Sequence, residues 1–231
     1  VLIGDEPLLP YQRPPLSKAW LKGEADADSL ALKPAEWYGE NNVFLRLSGV
    51  AERINRSAKT VTLASGEAIS YDFLILATGA RARQLPIPGA DLAGVLALRT
   101  AADAELLKHA LGPGKRLAVI GGGYVGLEAA ASARALGAEV VVVERESRVL
   151  ARVACDTLST FFQDYHRARG VTFELNAGVE AFEGEGDHIG GVRLSDGRLL
   201  PCDVALVGVG AIPNDELAKD AGLATANGVV V

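Results

Sequence analysis

Residues 117 to 144 constrain this chain more than any other stretch. LAVI (117–120) is a short apolar run that leads directly into GGGYVG (121–126). LEAAASARALG (127–137) has helical composition and stops at Gly137, and EVVVVE (139–144) is a second apolar run closed by an acid. Strand, glycine loop, alanine-rich helix, strand and terminal acid in that order predict a βαβ unit in an α/β fold with a parallel sheet. Gly121, Gly123 and Gly126 satisfy G-x-G-x-x-G. The first permits a tight turn, the second lets the backbone approach a pyrophosphate, and the third lets helix and strand pack closely. The helix N-terminus adds unpaired N–H groups and a positive dipole end. Glu144 lies 18 residues past Gly126, where an acid accepts both hydroxyls of a ribose.

A glycine loop alone would mark only a turn. In this register it predicts a dinucleotide held by Gly121, Gly122, Gly123, Tyr124, Val125, Gly126 and Glu144. A carboxylate at 144 repels a 2′-phosphate, so the expected cofactor is NADH over NADPH. Arg145 and Arg148 follow closely, either as ligands for such a phosphate or as solvated surface charges.

The chain also repeats itself. VTLASGEAISYDFLILATGA (61–80) lies over VRLSDGRLLPCDVALVGVGA (192–211) without a gap, at an offset of 131. Asp72 falls on Asp203, Gly66 on Gly197, and Gly79 on Gly210. Each copy reads as a hairpin with a Ser-Gly or Asp-Gly turn, followed by a buried apolar strand that ends in glycine. Two unrelated hairpins with the same turn chemistry are the plainer reading; the length of the match favours a duplicated dinucleotide domain.

If the halves are duplicates, VLIGD plays the part of EVVVVE and Asp5 that of Glu144. Two such domains with a hydride carrier in the second imply a redox relay, and the partner able to accept from a hydride donor is a flavin. The first half is therefore expected to hold FAD. Thr78 and Gly79 would face FAD, and Gly208 and Gly210, flanking Val209, would face NADH, because a Cβ at a strand tip obstructs close approach. The glycine loop of the first half would precede Val1, so the sequence reads as a fragment.

Composition closes off other classes. The chain has 231 residues, 49% of them hydrophobic, with 26 glycines and a net charge of −6. That supports one or two packed domains and argues against nucleic acid, whose binders carry a basic surface. No apolar run has the length of a membrane span and no signal peptide is apparent. Cys155 and Cys202 have no paired spacing and suggest neither a disulfide framework nor a zinc site, so no metal is expected and a reducing, cytoplasmic setting fits. His109, His166 and His188 match no motif.

The stretches LIGDE, PYQRPPLSK (10–18), LILATGARAR (74–83), LRT (98–100), VIGGGYVGLE (119–128), RVLARV (148–153) and VGVGAIPN (207–214) run from end to end of the chain. Through them the sequence resembles the FAD-dependent, NADH-using ferredoxin reductases of bacterial oxygenase systems, close to putidaredoxin and rubredoxin reductases. The resemblance implies two Rossmann-like dinucleotide domains, the NAD domain inserted in the FAD domain, without the glycine loop before Val1 or the C-terminal interface domain. It places Lys18 against the flavin and in a pair with Glu128, which would orient the nicotinamide carboxamide. It assigns Arg99 and Arg13 to the flavin, and Ala51, Ala77 and Arg152 to cofactor binding without dividing them between the two dinucleotides. Tyr124 would cover the flavin ring until NADH displaces it, or serves packing alone.

Disulfide reductases of this architecture carry Cys-x4-Cys in the segment occupied here by PYQRPPLSK, which has no sulfur. Electrons would then leave singly, to a ferredoxin-type iron–sulfur protein, or to a quinone or oxygen. A non-catalytic dinucleotide sensor is the reading from another class, and a charged flavin-side pair argues against it. The alternative for PPLSK itself is a plain loop with Ser17 as a helix N-cap.

The expected domains are a partial FAD domain at 1–98, an NAD domain at 99–222, and a return to the FAD domain at 223–231. VACDTLSTFFQDYHRARG (153–170) is expected as a packing helix ending at Gly170.

Overall fold

A computed structural model describes residues 1–231. The chain forms two compact units: a first of Val1–Gln12, Ala27–Arg81 and Ala211–Val231, and a second of Arg13–Asp26 and Ala82–Gly210. The units change over at 12, 26, 81 and 210, whereas the sequence places boundaries at 98 and 222.

The second unit is built on a five-stranded sheet. Its strands are β1 (Val95–Leu96), β2 (Arg116–Ile120), β3 (Glu139–Glu144), β4 (Val171–Leu175) and β5 (Val204–Val207). They lie in the order β4-β3-β2-β5-β1, and every pairing is parallel. The apolar runs have the composition such a sheet requires, because its strands are covered on both faces. Alternation along β2 divides the core. Leu117 and Val119 join one cluster with Leu127, Ala129, Ala130 and Ala133, while Ala118 and Ile120 join another with Phe182, Val192 and Leu194.

Three helices accompany the sheet: α1 (Ala101–Ala110), α2 (Tyr124–Ala135) and α3 (Asp156–Arg167). Thr100 and Asp103 form a reciprocal capping box at the start of α1. The alanines of α2 let it sit close on the first face. On the second face lies an antiparallel meander, Val179–Glu185, His188–Leu194 and Leu199–Pro201. Below it, Asp203 receives a two-pronged guanidinium contact and the backbone N–H of Arg116, at 2.9 to 3.2 Å. Those bonds from Arg116 hold its carboxyl below the usual carboxylate range.

Helix α3 forms where expected, and Gly170 follows it at φ +83°. Its buried face is not the apolar one. Ser159, Gln163 and His166 are buried while Leu158, Phe161 and Tyr165 are exposed. The hydroxyl of Ser159 donates to the Val149 carbonyl at 2.6 Å, and the Gln163 side chain accepts from Val149 N–H at 3.2 Å. Hydrogen bonding to the segment leaving β3 thus selects the buried face, and Phe162 adds the apolar contact.

The first unit carries its own meander, Ala51–Asn55, Thr60–Leu63 and Ala68–Ser70, around Ile54, Val61 and Leu63. A second, parallel pair joins Leu2–Ile3 to Leu45–Arg46. The repeat seen in the sequence is real in the backbone. Gly66 and Gly197 both sit at φ +87°, and Leu63 N–H to Glu67 and Leu194 N–H to Arg198 are equivalent turn bonds of 2.9 and 2.8 Å.

The repeat ends after the hairpins. β5 is buried throughout, but the matching residues 73–76 form no strand, and Phe73 and Ile75 are 94% and 88% exposed. The expectation of a buried strand here is corrected. β5 has β2 and β1 on its two edges to satisfy its backbone groups, and residues 72–77 pair with no strand. No helix is long and apolar enough to cross a membrane, and no cluster of His, Cys, Asp or Glu could hold a metal.

Candidate dinucleotide site

The glycine loop spans the end of β2 and the start of α2. Gly121 has φ +108°, and a Cβ there would stand 2.6 Å from the Gly208 carbonyl oxygen at the tip of β5. Gly208 N–H in turn donates to the Ile120 carbonyl at 2.8 Å, so the two strand tips are locked together. A Cβ on Gly126 would collide with the Gly121 carbonyl. Both glycines are therefore required by the fold itself.

Gly123 differs. A Cβ there would meet nothing within 4 Å, and its φ of −81° suits any residue. It is the N-cap of a twelve-residue helix, and no side chain caps the end. The loop thus presents an open backbone surface over unpaired first-turn N–H groups, the arrangement a pyrophosphate fits. Helix α2 begins at Tyr124, inside the loop and earlier than composition indicates. Tyr124 and Val125 occupy its first two positions with exposed side chains.

Glu144 closes β3 and faces the loop. Its Oε2 accepts the Gly122 N–H at 2.7 Å and its Oε1 the Glu146 N–H at 2.9 Å. A carboxylate has about four acceptor positions, so about two remain, the number a ribose diol needs. Arg148 is committed elsewhere: its guanidinium bonds the carbonyls of Ala151 and Ala154, the Ser159 hydroxyl and Asp156. That removes it as a phosphate ligand. Arg145 is an exposed partner of Glu146 at 3.3 Å, and Arg152 is exposed with no hydrogen bond or ion pair.

The segment PPLSK belongs to this same unit. Pro14–Ser17 forms a 3₁₀ turn, which proline at its start favours by fixing φ, so Ser17 ends a turn and caps no helix. Lys18 Nζ lies 2.6 Å from Glu128 Oε2, and the Ser17 hydroxyl donates to that same oxygen at 2.6 Å. The structure thus brings together Lys18 and Glu128, 110 positions apart. Glu128 lies on α2 two positions past Gly126, so the pair stands beside the glycine loop.

Ser17 and Ser132 are the site residues that sequence reasoning misses. The Ser132 hydroxyl donates to the Ser17 carbonyl at 2.7 Å, and both side chains are buried. Arg13 and Arg99 also meet, through a 2.7 Å bond from the Arg13 guanidinium to the Arg99 carbonyl.

In the first unit Asp5 is exposed just beyond the Leu2–Ile3 strand, as Glu144 ends β3. Ala51 opens the meander. Ala77, Thr78 and Gly79 are exposed, with Gly79 at φ +66°. Asn214 holds this tip: its N–H donates to the Gly79 carbonyl and its Nδ2 to the Thr78 carbonyl, both at 3.0 Å. The Thr78 hydroxyl donates to the Asn214 carbonyl in return. Gly210, in the second unit, has φ +115° and accepts the Arg83 N–H at 2.9 Å beyond Val209.

Neither cysteine belongs to this arrangement. Cys155 is exposed and free, and Cys202 is fully buried, its thiol pushed up to about 12 by burial.

Comparison with known proteins covers the whole chain. The family model described as pyridine nucleotide-disulphide oxidoreductase matches residues 1–231. "Probable ferredoxin reductase CtmF" of Castellaniella defragrans is 50% identical over 231 residues, 100% of this chain and 56% of that protein. The crystal structure of the ferredoxin reductase for the CYP199A2 system of Rhodopseudomonas palustris is 47% identical with a TM-score of 0.96, covering 100% of this chain and 57% of that one. The reductase in the covalent putidaredoxin reductase–putidaredoxin complex is 40% identical with a TM-score of 0.94, covering 98% and 56%. The chain thus spans little more than half the length of the proteins it matches.

Proposed function

Since this chain belongs to the pyridine nucleotide-disulphide oxidoreductase family, we propose that it serves an FAD-dependent reductase that takes electrons from NADH and delivers them singly to a ferredoxin-type iron–sulfur protein of an oxygenase system. The observation that carries this reading is the Lys18–Glu128 contact of 2.6 Å beside an open glycine loop, in a segment without sulfur. Names of the similar proteins agree with it: a ferredoxin reductase and a reductase complexed with putidaredoxin.

Gly121 to Gly126 hold the pyrophosphate of NADH on the N-terminus of α2, and Glu144 takes the ribose hydroxyls. Gly208, Val209 and Gly210 line the approach at the tip of β5, and exposed Arg152 is a further cofactor-binding cation. Glu128 accepts from the carboxamide of the nicotinamide and sets the ring's orientation. Lys18 provides positive charge where negative charge develops as electrons arrive. Tyr124 shields the ring position when NADH is away. Asp5, Arg13, Ala51, Ala77, Thr78, Gly79 and Arg99 are the residues that would hold FAD. FAD, when bound, supplies the conversion from two-electron to one-electron chemistry that hydride donor and iron–sulfur acceptor require.

NADH is preferred over NADPH because the Glu144 carboxylate repels a 2′-phosphate and Arg148 is occupied. The site of action is the cytoplasm, in keeping with two free cysteines. The test is anaerobic mixing of the full-length, FAD-loaded protein with NADH. A reductase loses its flavin absorbance during a turnover-scale rapid-mixing trace; a dinucleotide sensor binds NADH and keeps its flavin oxidised.

A further inference from the structure

We propose that Ser17 is a positioning residue that decides which oxygen of Glu128 is presented to the nicotinamide carboxamide. The proposal rests on the reading that NADH binds at the glycine loop. Its basis is a convergence of two donors on one atom. The Ser17 hydroxyl and Lys18 Nζ both lie 2.6 Å from Glu128 Oε2, while Glu128 Oε1 accepts no bond from the protein. With Oε2 saturated, Oε1 is the acceptor left for an incoming N–H.

The two donors are unequal. Lys18 has a side chain 48% exposed and shares its ammonium with the Pro14 carbonyl at 3.1 Å, so solvent and backbone compete for it. Ser17 is 5% exposed and has one side-chain torsion. Its backbone is fixed as well, because its carbonyl accepts the hydroxyl of buried Ser132 at 2.7 Å. Glu128 and Ser132 stand four residues apart on one face of α2, so helix and 3₁₀ turn are joined twice through Ser17, once by side chain and once by backbone. Ser17 is thus the rigid donor and Lys18 the charged one.

A primary amide is the group that uses a free carboxylate oxygen of this kind, since its N–H₂ donates where a ketone cannot. The chemical prediction is a discrimination. The site distinguishes the nicotinamide carboxamide from an analogue with a methyl ketone in its place, and Ser17 is needed for that distinction.

The test measures binding by calorimetry to the full-length, FAD-loaded protein, with NAD⁺ and with 3-acetylpyridine adenine dinucleotide. Wild type is expected to prefer NAD⁺. Ser17→Ala is expected to weaken NAD⁺ by about five- to tenfold, the scale of one hydrogen bond, and to leave the ketone analogue within about twofold. Ser17→Thr, which keeps the hydroxyl, restores the preference. Should Ser17→Ala fail to retain FAD, Ser17→Cys, similar in size and a weak donor, is expected to lose the preference in the same way. Equal weakening of both ligands, or no change in either, overturns the positioning role while leaving the reductase reading intact. A wild-type protein that binds neither ligand overturns the reading itself, and the role of Ser17 with it.

Discussion

Replacing Glu144 by alanine separates two roles that one carboxylate performs. In the structure it accepts N–H groups from Gly122 at 2.7 Å and Glu146 at 2.9 Å, and so braces the glycine loop against the end of β3. Both bonds are charge-assisted, the first half-buried and the second exposed, so water replaces part of what is lost, and the cost to stability should be about 1–3 kcal/mol. For a chain of this size that corresponds to a fall in Tm of about 2–4 °C for each kcal/mol. The ribose hydroxyls lose the same acceptor, which should weaken NADH by a further 1–3 kcal/mol or so, about five- to 150-fold. NADPH should suffer less, because removing the carboxylate also removes its repulsion of the 2′-phosphate. Thermal unfolding and the NADH/NADPH ratio of kcat/KM in the full-length enzyme measure the two effects separately. Glu144→Gln keeps an acceptor oxygen and should recover most of the stability while the ratio stays narrowed. An unchanged ratio in Glu144→Ala would refute the assignment of specificity to this residue, however unstable the variant proved.

Other outcomes follow from the same contacts. Lys18→Ala and Glu128→Ala should each slow flavin reduction by NADH more than they reduce FAD content; stopped-flow rates equal to wild type for both would sink the pairing. Gly126→Ala should abolish NADH binding, since its Cβ would stand 2.2 Å from the Gly121 carbonyl oxygen, a backbone atom of the loop itself; titration of NADH fluorescence checks it. Asp203→Asn should cost about 1 kcal/mol at neutral pH, a modest figure because the partners are 43% and 32% exposed. The Asp203 carboxyl titrates below its unfolded value, so its contribution is present above about pH 4 and lost as pH falls through the folded value. The gap between variant and wild type in denaturant unfolding should therefore close in acid. Cys155→Ser with Cys202→Ser should leave NADH-dependent turnover near wild type. In the native protein a thiol reagent should modify exposed Cys155 and spare Cys202, and equal labelling of both would contradict the burial of Cys202.

The parts of this fold that are legible in the sequence are those decided by near neighbours. The βαβ unit is written in apolar runs and in glycines whose turn geometry is local, and the hairpin repeat extends to identical φ angles at Gly66 and Gly197. What fails depends on distant partners. Residues 73–76 are as apolar as β5, yet a strand is buried only where other strands flank it. Periodicity marks 153–170 as a helix, but its inward face is chosen by hydrogen bonds that join Ser159 and Gln163 to Val149, which apolar spacing does not register. For the site, the glycine loop and Glu144 are readable from spacing, and Lys18 with Glu128 from resemblance. Ser17 is not, because its partners lie 111 and 115 positions away and a serine after two prolines signals only a turn or cap.

Under the proposed function, electrons enter as a pair from NADH and leave one at a time. The direct measurement is an anaerobic titration: catalytic amounts of the full-length, FAD-loaded protein, excess oxidised [2Fe–2S] ferredoxin, and NADH added in known aliquots. About two ferredoxins should be reduced per NADH consumed, with the same stoichiometry in the double cysteine variant, since the hydride carries two electrons and each cluster accepts one. NADH consumed with no ferredoxin reduced, or reduction that disappears with the two thiols, would contradict it.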